Sequence, residues 1–117
     1  MPLTPCPTSP NCVSSQSSDL NHLVEPIPYS GALEGAKAQI LHVLTSLPRT
    51  TIVKNEAHYV HAECRSLIFR FTDDVEFLFD DEHKVIHVRS ASRVGYSDLG
   101  VNRQRVENIR QQFLLLQ

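Results

Sequence analysis

Between residues 32 and 47, apolar side chains recur at three- and four-residue steps: Leu33, Ala36, Ile40, Leu44 and Leu47, with Leu41 and Val43 widening the stripe. That period places them on one side of a helix. Ser30 is the expected N-cap and Pro48 the stop, while Gly35 weakens the helix by about 1 kcal/mol relative to alanine. The same period returns in Asn102–Leu116, where Val106, Ile109, Phe113 and Leu116 form the stripe and Asp98 is a candidate cap.

Between these helices the period drops to two, the mark of strands with one buried face. Thr50–Lys54 is a β-rich run, and Asn55-Glu56 is the expected turn after it. Val60, Ala62 and Cys64 then share a face, opposite Tyr59, His61 and Glu63. In Leu67–Phe79 the odd positions Leu67, Phe69, Phe71, Val75, Phe77 and Phe79 point one way, with Asp73 the sole breach. A turn at Arg65-Ser66 pairs Cys64 with Leu67, Ala62 with Phe69 and Val60 with Phe71, all on one face. Thr72-Asp73-Asp74 reads as a bulge or bend in preference to a three-residue hairpin, since no glycine serves the left-handed position. A loop at Asp80–His83 leads into Lys84–Ser90, pairing Phe77 with Ile86 and Val75 with Val88. It also sets Glu76 opposite His87 and Asp74 opposite Arg89 as cross-strand ion pairs.

Residues 1–30 hold all but one of the seven prolines and many serines, which forbids a long helix. Leu20, Leu23, Val24, Ile27 and Tyr29 are nonetheless too apolar for a free tail. The expected architecture is therefore α+β in two layers: an irregular arm over 1–30, then a single domain over 31–117. That domain is built as helix, four-stranded antiparallel meander and C-terminal helix.

Composition narrows the function classes. The 117 residues suit one domain; 41% are hydrophobic and 21% charged, a globular balance. A formal charge of −2 gives no electrostatic footprint for nucleic acid. No apolar run reaches the length of a membrane span. The start at Met1–Pro5 lacks a secretory pattern, so the expectation is a cytoplasmic protein, or else the mature part of a longer exported one.

Candidate chemistry concentrates in Arg89–Arg105. Arg89, Ser90, Ser92, Arg93, Ser97, Asp98, Asn102 and Arg103 lead into a helix N-terminus, whose free amides and positive dipole suit a phosphate or carboxylate. The alternative is structural: Asp98 caps the helix and the arginines pair with Asp73, Asp74 and Glu76. Asp73, Asp74, Glu76 and His87 are read as an ion-pair network before an acid–base pair. The six histidines show no HExxH or paired CxxC spacing, and His58 and His61 differ in strand phase, so no metal site is expected. Cys6 and Cys12 are candidates for a disulfide or plain thiols in preference to reactive chemistry, and Cys64 for a core thiol.

Two segments carry a family likeness: Cys6–Ser15, reading CPTSPNCVSS, and Arg89–Arg103, reading RSASRVGYSDLGVNR, with Asp73–Phe77 between them. On these the chain resembles, over about residues 6–113, the domain-of-unknown-function family numbered 1499. The resemblance implies a source in bacteria or plastid-bearing organisms, and relatives in which export or membrane segments lie upstream. It implies no activity and no cofactor. The first expectation is thus a non-enzymatic module for a small anionic or amphipathic ligand, held by a curved sheet gripped by a helix, with Arg89, Arg93 and Arg103 meeting the anionic end. The alternatives are a hydrolase using Asp74 or Glu76 with His87, and a domain that docks a protein partner.

Overall fold

Two helices lie on one face of an antiparallel sheet. The computed structural model describes residues 2–68 and 70–117. The helices are α1, Leu33–Ser46, and α2, Val101–Leu116. The strands are β1 (Cys12–Ser14), β2 (Ile27–Pro28), β3 (Thr50–Glu56), β4 (Tyr59–Arg65), β5 (Thr72–Asp80) and β6 (Val85–Ser92). The sheet runs β1-β6-β5-β4-β3, with β2 also on β6. β1 takes the Arg89–Ala91 half of β6 and β2 takes the Val85–Ile86 half, so two short strands share one edge.

The mixed α+β class holds, but the sheet has six strands instead of four. The two extra strands come from the proline-rich arm, which is not irregular throughout. Three residues of β1 and two of β2 are enough to pair, because β6 already presents an ordered edge. Val13, Val24, Ile27 and Tyr29 of the arm enter the core. α2 holds the arm from below through arginines: Arg103 donates to the carbonyls of Leu23 (2.8 Å) and Asn21 (3.1 Å), and Arg110 to those of Pro26 (2.9 Å) and Glu25.

α1 turns Ala36, Ile40, Val43 and Leu44 into the core, and α2 turns Val106, Ile109 and Phe113. They meet Val60, Ala62, Cys64, Val75, Phe77, Phe79, Ile86 and Val88 from the sheet. Each large aliphatic or aromatic side chain buried here contributes roughly 1.5–3 kcal/mol of hydrophobic stabilisation. Ser30 does not cap α1; Ala32 precedes the helix with no side-chain cap, and the Ser30 amide donates to Gln117 Oε1 at 2.7 Å.

The strand faces match the period-two pattern, but three turns move. The β3–β4 turn is at Ala57-His58, not Asn55-Glu56, because Asn55 and Glu56 pair with Val60 and Tyr59. A register shift between Ile52 and Lys54 bends this edge strand. Cys64, Ala62 and Val60 pair with Asp73, Val75 and Phe77, a six-residue displacement from the Arg65-Ser66 hairpin. Leu67 and Phe71 are consequently exposed, and the expected Ala62–Phe69 pair involves a residue outside the described set. The Ser66 amide donates to the Phe71 carbonyl at 2.9 Å, and Arg70 supplies the left-handed backbone at φ 60°. The ladder passes through Thr72-Asp73-Asp74 without a bulge or turn.

β5 and β6 slip by two residues: Phe77 faces Val88, Phe79 faces Ile86, Glu76 faces Arg89 and Asp74 faces Ala91. The reversal lies at Asp81–Lys84, with Lys84 at φ 55°. All these displacements are even, so every side chain keeps its face.

Candidate functional site

The segment Arg89–Asn102 is divided between the two faces of the sheet by the alternation of β6. On the covered face, at the start of α2, lies a buried polar knot. Ser90 Oγ donates to Asn102 Oδ1 at 2.6 Å, and both residues are fully buried. Asn102 Nδ2 reaches Ser92 Oγ (2.9 Å), Asp98 Oδ2 (2.8 Å) and the Asn11 carbonyl (3.2 Å). Arg105 donates to Asn102 Oδ1 (2.7 Å), Ser90 Oγ (3.1 Å) and Asp73 Oδ2 (2.8 Å). Asn11 Nδ2 in turn donates to the Gly95 carbonyl at 2.8 Å, tying the arm to the loop.

Asp98 accepts from the Gly100 amide (2.8 Å) and the Asn102 amide (3.0 Å). Burial alone would raise its pKa, but these amides and the Asn102 side chain outweigh it and hold the carboxyl below its ordinary value. A protein carboxylate thus stands where a bound anion would meet the helix N-terminus. Ser97 Oγ accepts from the Leu99 amide at 3.3 Å within the same turn.

Arg89, Arg93 and Arg103 go to three places. Arg103 serves the arm carbonyls. Arg93 reaches Asp74 Oδ2 (2.7 Å), Asp74 Oδ1 (2.9 Å) and Glu63 Oε2 (2.6 Å). Arg89 reaches Glu76 Oε1 at 3.4 Å, and its Nε is buried with no hydrogen-bond partner among the described residues.

The open face of the sheet carries these acidic residues in two rows. Tyr59 donates its hydroxyl to Glu76, which also faces Arg89. His61 Nε2 lies 2.7 Å from Asp74 Oδ1, and Asp74 continues through Arg93 to Glu63. Arg93 chiefly, opposed by burial and aided by His61, holds the Asp74 carboxyl below its ordinary value. Burial first, then the Glu76 carboxylate, pushes the Tyr59 phenol well above its ordinary value. Asp73 stands apart from these rows, on the covered face with Arg105. His87 does not reach Glu76, as the expected pairing required; its Nδ1 lies 3.2 Å from Ser15 Oγ. The slip of β6 by two residues places Arg89 beside Glu76 instead.

At the end of the open face near the β3–β4 and β5–β6 turns is a shallow hollow of about 950 Å³. Leu78 and Ala57 give it an apolar floor, and Tyr59, His87, Lys54 and Gln16 line it with polar groups. Asp80, Asp81 and Glu82 form its acidic rim. Ser15 Oγ accepts from the Val88 amide at 2.8 Å and lies within hydrogen-bond reach of His87 Nδ1, with the tautomer of the imidazole setting which of the two donates. Tyr59 was missed as a site residue although it shares a strand phase with His61 and Glu63; Asn11 and Ser15 lie in the arm, where no periodicity marks them. Cys6 and Cys12 have their sulfurs 2.06 Å apart, at bonding distance, and Cys64 is a buried free thiol. Among the described residues, no three His, Cys, Asp or Glu side chains cluster as a metal set, and no helix is long and apolar enough to cross a membrane.

These features define a two-layer α+β domain with an antiparallel sheet covered on one face and polar on the other. The chain belongs to the family described as protein of unknown function (DUF1499), whose profile matches residues 2–113. No curated protein matches it.

Proposed function

We propose that the domain is a non-enzymatic binding module that seats a small amphipathic ligand on the open face of its sheet. The observation that carries this reading is the hollow beside Leu78, Tyr59 and His87, on a face to which neither helix contributes core residues. An apolar floor with a few oriented polar groups is the usual make-up of a small-molecule site. The rows through Glu76 and Asp74 hold the neighbouring donors and acceptors in place, so little ordering is left for binding to do. On this reading Ser90, Ser92, Ser97, Asp98 and Asn102 are scaffold, joining arm, sheet and α2, and do not contact the ligand. The sulfur pair of Cys6 and Cys12 supports an oxidising working compartment.

Thermal shift against fatty acids and nucleotides tests the module. The expected result is a raised melting temperature for an amphipathic compound, lost in Leu78→Glu and His87→Ala while the free protein's melting temperature barely moves. No shift with any compound, or a shift that both variants retain, removes the hollow as the site.

A hydrolytic reading is kept in view by one observation, the Ser15–His87 contact, since a hydroxyl against an imidazole is the start of an activated nucleophile. Asp74 and Glu76 do not stand with His87 as that reading first required. Labelling of Ser15 by a fluorophosphonate, abolished in His87→Ala, would favour the enzyme; an unlabelled Ser15 disposes of it.

A further inference from the structure

At the end of the sheet opposite the hollow, two loops expose large apolar side chains together. The β4–β5 loop presents Leu67, Ile68 and Phe71, and the β6–α2 loop presents Val94, Tyr96 and Leu99. They are neighbours, because Asp73 pairs with Ser92 and the Arg93 amide donates to the Thr72 carbonyl at 3.1 Å. Leu99 is 95% exposed and Ile68 78%. Leu99 also sits in left-handed backbone at φ 55°, a conformation that leucine adopts at a cost. Neither packing nor turn chemistry asks for leucine there. Such a position points to a role outside the fold.

The acidic residues nearest these loops, Glu63, Asp73 and Asp74, are already paired with Arg93 and Arg105. Residues 65–71 contain Arg65 and Arg70 and no acidic residue, and in 93–101 the sole acid, Asp98, is turned onto its own helix. Arg49 joins them, donating from Nε to the Arg65 carbonyl at 3.1 Å. Arg49, Arg65 and Arg70 enter none of the ion pairs among the described residues. A cleft of about 590 Å³ is lined by Arg49, Arg65 and Arg105 beside Val101, and its one carboxylate, Glu107, is paired with Arg110. Glu56, Asp80, Asp81 and Glu82 lie at the far end, beside Lys54 and Lys84.

We propose that these two loops dock the domain on an anionic phospholipid bilayer, with Leu67, Ile68, Val94, Tyr96 and Leu99 entering the headgroup region and Arg49, Arg65 and Arg70 facing lipid phosphates. Aliphatic tips with cations behind them combine the two forces that hold proteins at such a surface, apolar burial and attraction to anionic lipid. Tyrosine suits the membrane–water boundary, with an apolar body and a polar tip. A protein partner would more commonly be met by one continuous core of packed anchors. Here the apolar groups stand on two separate loops with the polar strand ends Thr72 and Arg93 between them.

The full chain contains no tryptophan, so one introduced indole reports its own surroundings. Ile68→Trp and Leu99→Trp are expected to shift their emission to the blue on adding vesicles of equimolar phosphatidylcholine and phosphatidylglycerol, while Glu82→Trp at the far end stays unchanged. In cosedimentation, Arg65→Gln with Arg70→Gln should weaken binding to these vesicles about 25-fold, fivefold per cation. Ile68→Asp with Leu99→Asp should abolish it at an unaltered melting temperature. Absence of sedimentation, an unchanged indole, or binding that survives the double aspartate variant overturns the proposal. Saturable capture of a soluble protein at these loops in place of vesicles overturns it as well.

Discussion

The two faces of the sheet are written by alternate residues of the same strands and behave as different materials. On β5 the odd positions Val75, Phe77 and Phe79 are buried against helices, while the even positions Asp74, Glu76 and Leu78 are half-buried on the open face. The covered face is held by contacts that tolerate almost no change of volume. The open face is held by ion pairs and hydrogen bonds that remain partly solvated and are individually weak. Folding is thus assigned mainly to one face, which leaves the other free to vary.

Truncation separates the faces most sharply. Phe77→Ala empties a fully buried site and should destabilise by about 3–5 kcal/mol, whereas Leu78→Ala next to it should lose less than about 1.5 kcal/mol. Urea unfolding of the two variants makes the comparison; equal losses would show that the open face is a second core.

The buried knot under α2 is the place where the covered face departs from apolar packing. Asn102→Ala takes the acceptor from the Ser90 hydroxyl and one donor each from Ser92 Oγ, the Asp98 carboxylate and the Asn11 carbonyl, in a site largely closed to water, for an expected loss of about 2–3 kcal/mol. Amide exchange should quicken in β1 at the same time, since the Asn102–Asn11 bond links α2 to the residue just before that strand.

Opening the Cys6–Cys12 bridge frees a short loop. On the loop-closure account, Cys6→Ser with Cys12→Ser costs about 2 kcal/mol. The loss should appear in β1, which begins at Cys12, and leave the β3–β4 hairpin protected in hydrogen exchange.

Which of these features the sequence discloses follows from what alternation can encode. Parity marks Val60, Ala62, Val75 and Phe77 as core correctly, because the face of a strand depends only on odd or even position. Register escapes it: displacements of two or six residues preserve parity, so the pairing Cys64–Leu67 looked as good as Cys64–Asp73. The distinction lay in loop chemistry, where Arg70 and Lys84 adopt left-handed backbone that glycine would have announced. Asp73 seemed a breach of the apolar face; it is on that face, and Arg105 of α2, one turn beyond Asn102, satisfies it. The arginine–serine segment stood out as chemistry, but whether its arginines met depended on that unread register.

The smallest effect concerns the open face and acid. The Asp74 carboxyl is held below its ordinary value chiefly by Arg93, against the opposing effect of burial, with His61 adding to the lowering. A carboxyl depressed on folding stabilises the native state above its unfolded pKa, near 4, and that contribution disappears as pH falls through the lower folded pKa. Asp74→Asn should therefore melt a few degrees at most below the parent at pH 6, because a solvated pair is worth little. The two melting curves should converge as the pH is lowered below about 4, and at neutral pH high salt should narrow the gap. A gap that persists unchanged in acid would assign the loss to lost packing of the Asn side chain rather than to charge. A gap as large as that of Phe77→Ala would erase the distinction between the two faces.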